Sequence, residues 1–168
     1  YQKMNVKNGK SFNKLLLENI VTGCTMIFNN SLKSKLNKLP DNVFVHDWWI
    51  ALVCSAFGVI EEIDITTVKY RQHNYNVAGA KKTDFKHFIK RLTKLNDVKQ
   101  GLINSVEQAK VFLEIYHDQL DERTLKMLKD FSNLFENNWI IRRKILFKYK
   151  IFKSNFSDFC CSSSISRF

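Results

Sequence analysis

Helical spacing of apolar positions is clearest in VFVHDWWIALVCSAFG, residues 43–58. Ile50, Val53, Cys54 and Phe57 there fall at i, i+3, i+4 and i+7, and Gly58 follows as a helix-ending residue. The pattern predicts a buried helix with Asp47 at or near its N-cap, where a carboxylate accepts backbone N–H bonds and meets the positive end of the helix dipole. Upstream, SFNKLLLENI (11–20) reads as a short helix with a Ser11 cap and with Leu15, Leu16 and Ile20 inward. VTGCTMIFN (21–29) is rich in β-branched and apolar residues and predicts a buried strand. Gly23 inside it marks a bulge or a close backbone approach by something else. SLKSKLNKLP (31–40) reads as a short basic helix ended by Pro40.

Beyond Gly58, VIEEIDITTVKYRQH (59–73) predicts two short strands, with Val59, Ile60 and Ile63 in the first and Val68 and Tyr70 in the second. HNYNVAGAKK (73–82) is polar, carries Gly79 and reads as a loop. From Thr83 the spacing is helical throughout, with a Thr83/Asp84 cap and a break near Gly101. Asp121 caps a further helix, DERTLKMLKDFSNLF, and a last helix covers about NWIIRRKILFKYKIF. The tail CCSSSISRF reads as frayed. The expected fold class is therefore α/β, an α/β portion over 1–82 followed by an all-helical extension over 83–168.

Composition narrows the class. An apolar fraction of 45% with 14 Phe and 3 Trp is enough to fill a core, which argues against a disordered chain. The excess of 27 Lys+Arg over 16 Asp+Glu gives +11 and favours partners that carry phosphate or an anionic surface. Cys24, Cys54, Cys160 and Cys161 show no zinc-like spacing with one another or with histidine, which points to a reducing, cytoplasmic setting. No signal peptide is evident, and no apolar run approaches the ~20 residues that span a bilayer. The sequence opens at Tyr1 with its first methionine at Met4, which reads as a fragment with more chain upstream.

TGCTMIFN, HDWWIALVCSAFG and VKYRQHNYNVAGA stand in that order, and together they resemble the C-terminal half of a family-2 glycosyltransferase of the GT-A fold. The subgroup they look most like is the bacterial rhamnosyltransferase-like enzymes of O-antigen, capsule and cell-wall polysaccharide synthesis. The likeness covers roughly residues 11–82. It implies an inverting transfer of a sugar, L-rhamnose from dTDP-rhamnose with a UDP-hexose as the fallback, onto a hydroxyl of a glycan or lipid-linked glycan. Asp47 would be the general base, a role a carboxylate on a rigid helix terminus suits. The cap and base roles are compatible, because one oxygen can accept backbone N–H while the other faces the acceptor.

The same resemblance assigns the remaining candidates. His46 would hydrogen-bond acceptor or donor, or stand exposed in a structural role. One of Trp48 and Trp49 would line the sugar site, Trp48 being the candidate, and the other would belong to the core, since consecutive helical residues point about 100° apart. Thr22, Gly23 and Cys24 would border the acceptor and donor-sugar pocket, with Gly23 letting a ligand approach the backbone. Arg71 would meet the diphosphate or face water. His73 would complete the coordination of a Mn²⁺ or Mg²⁺ ion on the leaving diphosphate, or serve as a solvated loop histidine. The family's nucleotide-binding strands and DxD motif are not in this sequence. EEID at 61–64 comes in the wrong order for that motif and reads as a strand edge with solvated charges. The expectation is an acceptor-side portion, inactive alone.

RRKILFKYKIFK (142–153) holds Arg142, Arg143, Lys144, Lys148, Lys150 and Lys153 without an acid, interleaved with Ile145, Leu146, Phe147, Ile151 and Phe152. Such a helix either lies on an anionic membrane surface, at the inner face of the plasma membrane, or docks its apolar stripe on the protein with its cations in water. Trp139, Ile140 and Ile141 continue the stripe and favour docking. The rival from another class is a non-catalytic basic helical binding or membrane-surface module. Nucleic acid is not expected as a partner, because no helix-turn-helix, aromatic sheet motif or metal finger is found.

Overall fold

Leu15 and Leu16 are among the most deeply buried residues of the N-terminal part, and a single helical turn, α1 (Phe12–Leu15), places them there. Ser11 occupies the N-cap with extended backbone, but its hydroxyl makes no capping bond. The structure, a computed structural model, describes residues 11–36, 39–41, 43–63, 65, 68 and 95–152. Among the described residues five α-helices follow α1: α2 (Asn30–Leu36), α3 (His46–Phe57), α4 (Leu95–Tyr116), α5 (Glu122–Ser132) and α6 (Trp139–Lys148).

The α/β expectation is overturned. The described residues are helical and include no strand, so an α/β GT-A half is not what these residues form. A strand must hand its N–H and C=O groups to a neighbour, and 21–29 finds none. It closes on itself instead: Thr25 N–H donates to Thr22 O at 2.9 Å and Met26 N–H to Gly23 O at 3.3 Å, giving a 3₁₀ turn, Gly23–Thr25. Ile27, expected inside, is 92% exposed. Of the two strands expected over 59–73, the described residues 59–63, 65 and 68 carry no strand, and Val59, Ile63 and Ile65 face outward. Glu61 and Glu62 are exposed charges without the strand edge that was expected to carry them. The remainder of 59–73, the loop 73–82, the cap at Thr83/Asp84 and the tail from 153 lie outside the described residues.

α3 is the central element. It runs from His46 to Phe57 and ends at Gly58, whose N–H returns to Cys54 O at 2.8 Å. Its two tryptophans look to different layers, as their adjacent positions require. Trp48 lies against α1, its indole N–H donating to the Leu15 carbonyl. Trp49 points to α4, with its ring 5.5 Å from Phe112 and 6.3 Å from Tyr116. Phe57 and Phe12 complete this aromatic cluster, at 5.3 Å from Tyr116 and 5.3 Å from Phe112 respectively. Deleting a fully buried aromatic such as Trp49 costs about 3–5 kcal/mol. Among the inward positions expected of α3, Val53 is buried, while Ile50, Cys54 and Phe57 are half-buried. Burial also raises the Cys54 thiol above its ordinary range.

α2 ends at Leu36, ahead of Pro40, and its tip is tied to α4. The Tyr116 hydroxyl donates to Lys35 O at 3.0 Å, and Lys35 Nζ lies over the Phe57 ring and reaches Gln119 Oε1 at 2.6 Å. α4 runs straight through Gly101 rather than breaking there. α5 packs along α4 through Met127, Leu128 and Phe131. Asp121 caps it as expected, accepting from Arg123 N–H and Thr124 N–H, each at 3.0 Å.

α6 stops earlier than the sequence suggested. Lys150 adopts φ 53°, so Ile151 N–H turns back to Leu146 O at 3.0 Å and Lys150 N–H to Phe147 O at 3.2 Å. These two bonds make a Schellman ending, and they bring Ile151 into the core beside Leu146. The C-terminal turn then closes on the start of the chain, with Asn13 Nδ2 donating to Tyr149 O at 2.9 Å and Lys150 O at 3.1 Å. Among the described residues no helix is long and apolar enough to cross a membrane.

Candidate functional site

The first turn of α3 and the loop 19–23 build one carboxylate seat. Val45 is the N-cap residue and offers no side-chain bond, so Asp47 lies inside the first turn rather than at the cap. It keeps the favourable position near the positive helix end, but its carboxylate turns to the neighbouring loop. Oδ2 accepts from Gly23 N–H at 3.0 Å, and Oδ1 accepts from Asn19 Nδ2 at 2.9 Å. The Asn19 amide is held in that sense because its Oδ1 accepts from Val21 N–H at 3.1 Å, leaving the NH₂ for Asp47.

Gly23 is a glycine for the sake of approach. A Cβ built on it would stand 2.9 Å from His46 Nε2, 3.5 Å from Asp47 Cβ and 3.6 Å from Asp47 Oδ2. No described glycine has positive φ, so no left-handed backbone requires it. The close neighbour anticipated at Gly23 is the chain's own His46–Asp47 pair. His46 itself is exposed, with its ring over this glycine.

The other candidates fall around this seat or away from it. Thr22 is exposed, and its carbonyl accepts from Thr25 N–H at 2.9 Å and from the Thr25 hydroxyl at 2.9 Å. Cys24 is an exposed free thiol. Trp48 is 7% exposed with its N–H committed to Leu15, so little of its ring face is open to a sugar. The outward ring is Phe44, whose centroid lies 6.3 Å from that of Trp48 in an edge arrangement. Arg71 and His73 lie outside the described residues. Asn19, which orients Asp47, was not singled out from sequence. It lies 28 positions upstream of its partner, and nothing local marks the pairing.

Each carboxylate oxygen has two acceptor directions, and the seat uses one on each. The remaining directions can take a hydroxyl proton from an incoming group, which is the geometry a general base needs. Asp47 is half-buried, enough to orient the group while leaving it reachable. Among the described residues no group of three His, Cys, Asp or Glu side chains is arranged to hold a metal ion. Both Asp47 oxygens are bonded to N–H donors, one on each. No family model, no curated protein and no solved structure matches the chain.

Proposed function

We propose that the chain supplies the acceptor side of an inverting glycosyltransferase, with Asp47 as the general base. The three motifs TGCTMIFN, HDWWIALVCSAFG and VKYRQHNYNVAGA support the class, and the observation that carries the role is the doubly anchored Asp47 carboxylate with a spare acceptor direction on each oxygen. In the reaction the acceptor hydroxyl gives its proton to Asp47 as its oxygen bonds to the anomeric carbon. The bond from that carbon to the diphosphate breaks on the opposite face, and the nucleoside diphosphate leaves with the electron pair. dTDP-L-rhamnose is the favoured donor, a UDP-hexose the second, and a glycan or lipid-linked glycan at the cytoplasmic face the acceptor. His46 lies beside the base and suits a hydrogen bond to the acceptor. A Mn²⁺ or Mg²⁺ ion with His73 as a ligand, and Arg71 toward the diphosphate, belong to this proposal through the resemblance.

The 168 residues carry no DxD motif, so transfer is expected only once a donor-binding half is supplied. The test joins the chain to such a half and compares the wild type with Asp47→Asn. Transfer, read as nucleoside diphosphate release with Mn²⁺ and a glycan acceptor, falls about 10²–10⁴-fold, while donor affinity measured by calorimetry is unchanged. Full transfer by Asp47→Asn would sink the base assignment.

A further inference from the structure

α6 docks with a narrow face. Ile145 and Leu146 are buried, and Arg142 folds back between them and the preceding turn, with its Nε donating to Asn137 O at 2.8 Å and Nη2 to Phe135 O at 2.9 Å. With about 100° between successive helical residues, Ile140, Arg143, Lys144 and Phe147 fall together on the opposite face. Ile140 is 47% and Phe147 57% exposed, and Trp139 beside them is 52% exposed. The stripe Trp139–Ile141, expected to dock, instead remains outside, and the docking is done one and two turns later. The usual arrangement of a surface helix, polar outward and apolar inward, is thus broken at the centre of the outer face.

We infer that this outer face of α6 rests on an anionic membrane surface, with Trp139, Ile140 and Phe147 entering the headgroup boundary and Arg143, Lys144 and Lys148 meeting lipid phosphates. Charge complementarity selects that occupant. From Asn137 to Lys153 the sequence has no Asp or Glu, while Arg143 lies over the Trp139 ring at 5.5 Å and Lys144 is exposed. Lys148 also meets Asp130 at 3.3 Å at the edge of this face, on α5. Cations on both flanks of an apolar line let the line sink while the charges stay at phosphate level. A nucleic acid would take the cations and the tryptophan but gains nothing from an outward isoleucine and phenylalanine on a convex helix. The inference goes beyond the sugar-transfer reading and does not depend on it.

The experiment floats the 168-residue chain with vesicles of phosphatidylcholine alone or enriched in phosphatidylglycerol, across a salt series. The chain is expected to float with the phosphatidylglycerol vesicles, less so as salt rises, with a blue shift of Trp139 emission. Lys144→Gln weakens the partition about fivefold. Ile140→Ser with Phe147→Ser abolishes flotation, and because the Phe147 ring also meets Phe152 at 5.3 Å the double variant is compared at a temperature where its melt shows it folded. No enrichment on the anionic vesicles overturns the inference, as does equal flotation by the double variant. Equal binding to neutral vesicles also overturns it. So does binding to an RNA homopolymer that competes with the vesicles and is indifferent to Ile140 and Phe147.

Discussion

Replacing Asp47 by Asn changes one oxygen for an NH₂ in a seat where both partners are donors. Gly23 N–H and Asn19 Nδ2 stand 3.0 and 2.9 Å from the two oxygens, so the new amide must face one of them donor to donor. Asn19 cannot turn over to help, because its Oδ1 holds Val21 N–H. An unpaired buried donor costs about 1–3 kcal/mol, and the half-exposed site puts this one at about 1–2 kcal/mol. In a chain of this size that lowers Tm by roughly 2–8 °C. The compensating variant follows from the same geometry. With Asn19→Asp added, the residue-47 amide donates to the residue-19 carboxylate, whose other oxygen keeps Val21 N–H, while the residue-47 carbonyl keeps Gly23 N–H. Circular dichroism melts of the two single variants and the double give a cycle, with an expected coupling of about 1 kcal/mol or more. The exchange restores stability and leaves sugar transfer lost, since the carboxylate has moved to position 19. A wild-type melt for Asp47→Asn, or a double variant no more stable than the weaker single one, would refute the seat as described.

Four further outcomes are expected. Gly23→Ala costs under about 1 kcal/mol, because the contact at 2.9 Å is with the tip of the exposed His46 ring, which swings aside and shifts its NMR resonances. Gly23→Val drives its methyls toward Asp47 and melts like Asp47→Asn. Lys150→Gly raises Tm by roughly 1–4 °C in a thermal scan, since φ 53° strains lysine by more than the added chain entropy of glycine costs. Asp121→Ala loses about 1 kcal/mol at neutral pH. Bonds from Thr124 and Arg123 hold the Asp121 carboxyl below its ordinary range, so this stability is present above the unfolded value and is lost as pH falls through the folded one. Wild type and variant therefore converge in acid urea titrations, and a gap that persists there counts against the cap.

The helices with a regular period and a local stop signal were legible in the sequence. α3 is capped by Gly58 at its end and α5 by Asp121 at its start, because those signals act within one turn. Residues 21–29 and 59–63 misled because β-branched composition records what suits a strand and not whether a neighbour exists to pair with it. Gly101 misled in the other direction. It is exposed with open space around it, and its cost of about 1 kcal/mol is too small to break a helix anchored by Leu102, Val106 and Phe112. Lys150 gave no warning of the turn it makes, since the usual residue there is glycine. At the site, Asp47 and Gly23 were legible as candidates, but their bond spans 24 positions and belongs to tertiary structure.

Trp48 does more than fill space beside α1. Its indole bond to Leu15 fastens the short α1 segment to α3, and the same segment continues to Asn19 and Gly23. Lifting residues 11–23 away would therefore strip Asp47 of both its donors in a single local opening event. The carboxylate's orientation is conditional on a segment held by the buried Leu15 and Leu16 and by the Asn13 and Trp48 bonds. Trp48, whose indole is bonded to that segment, would report its release by fluorescence.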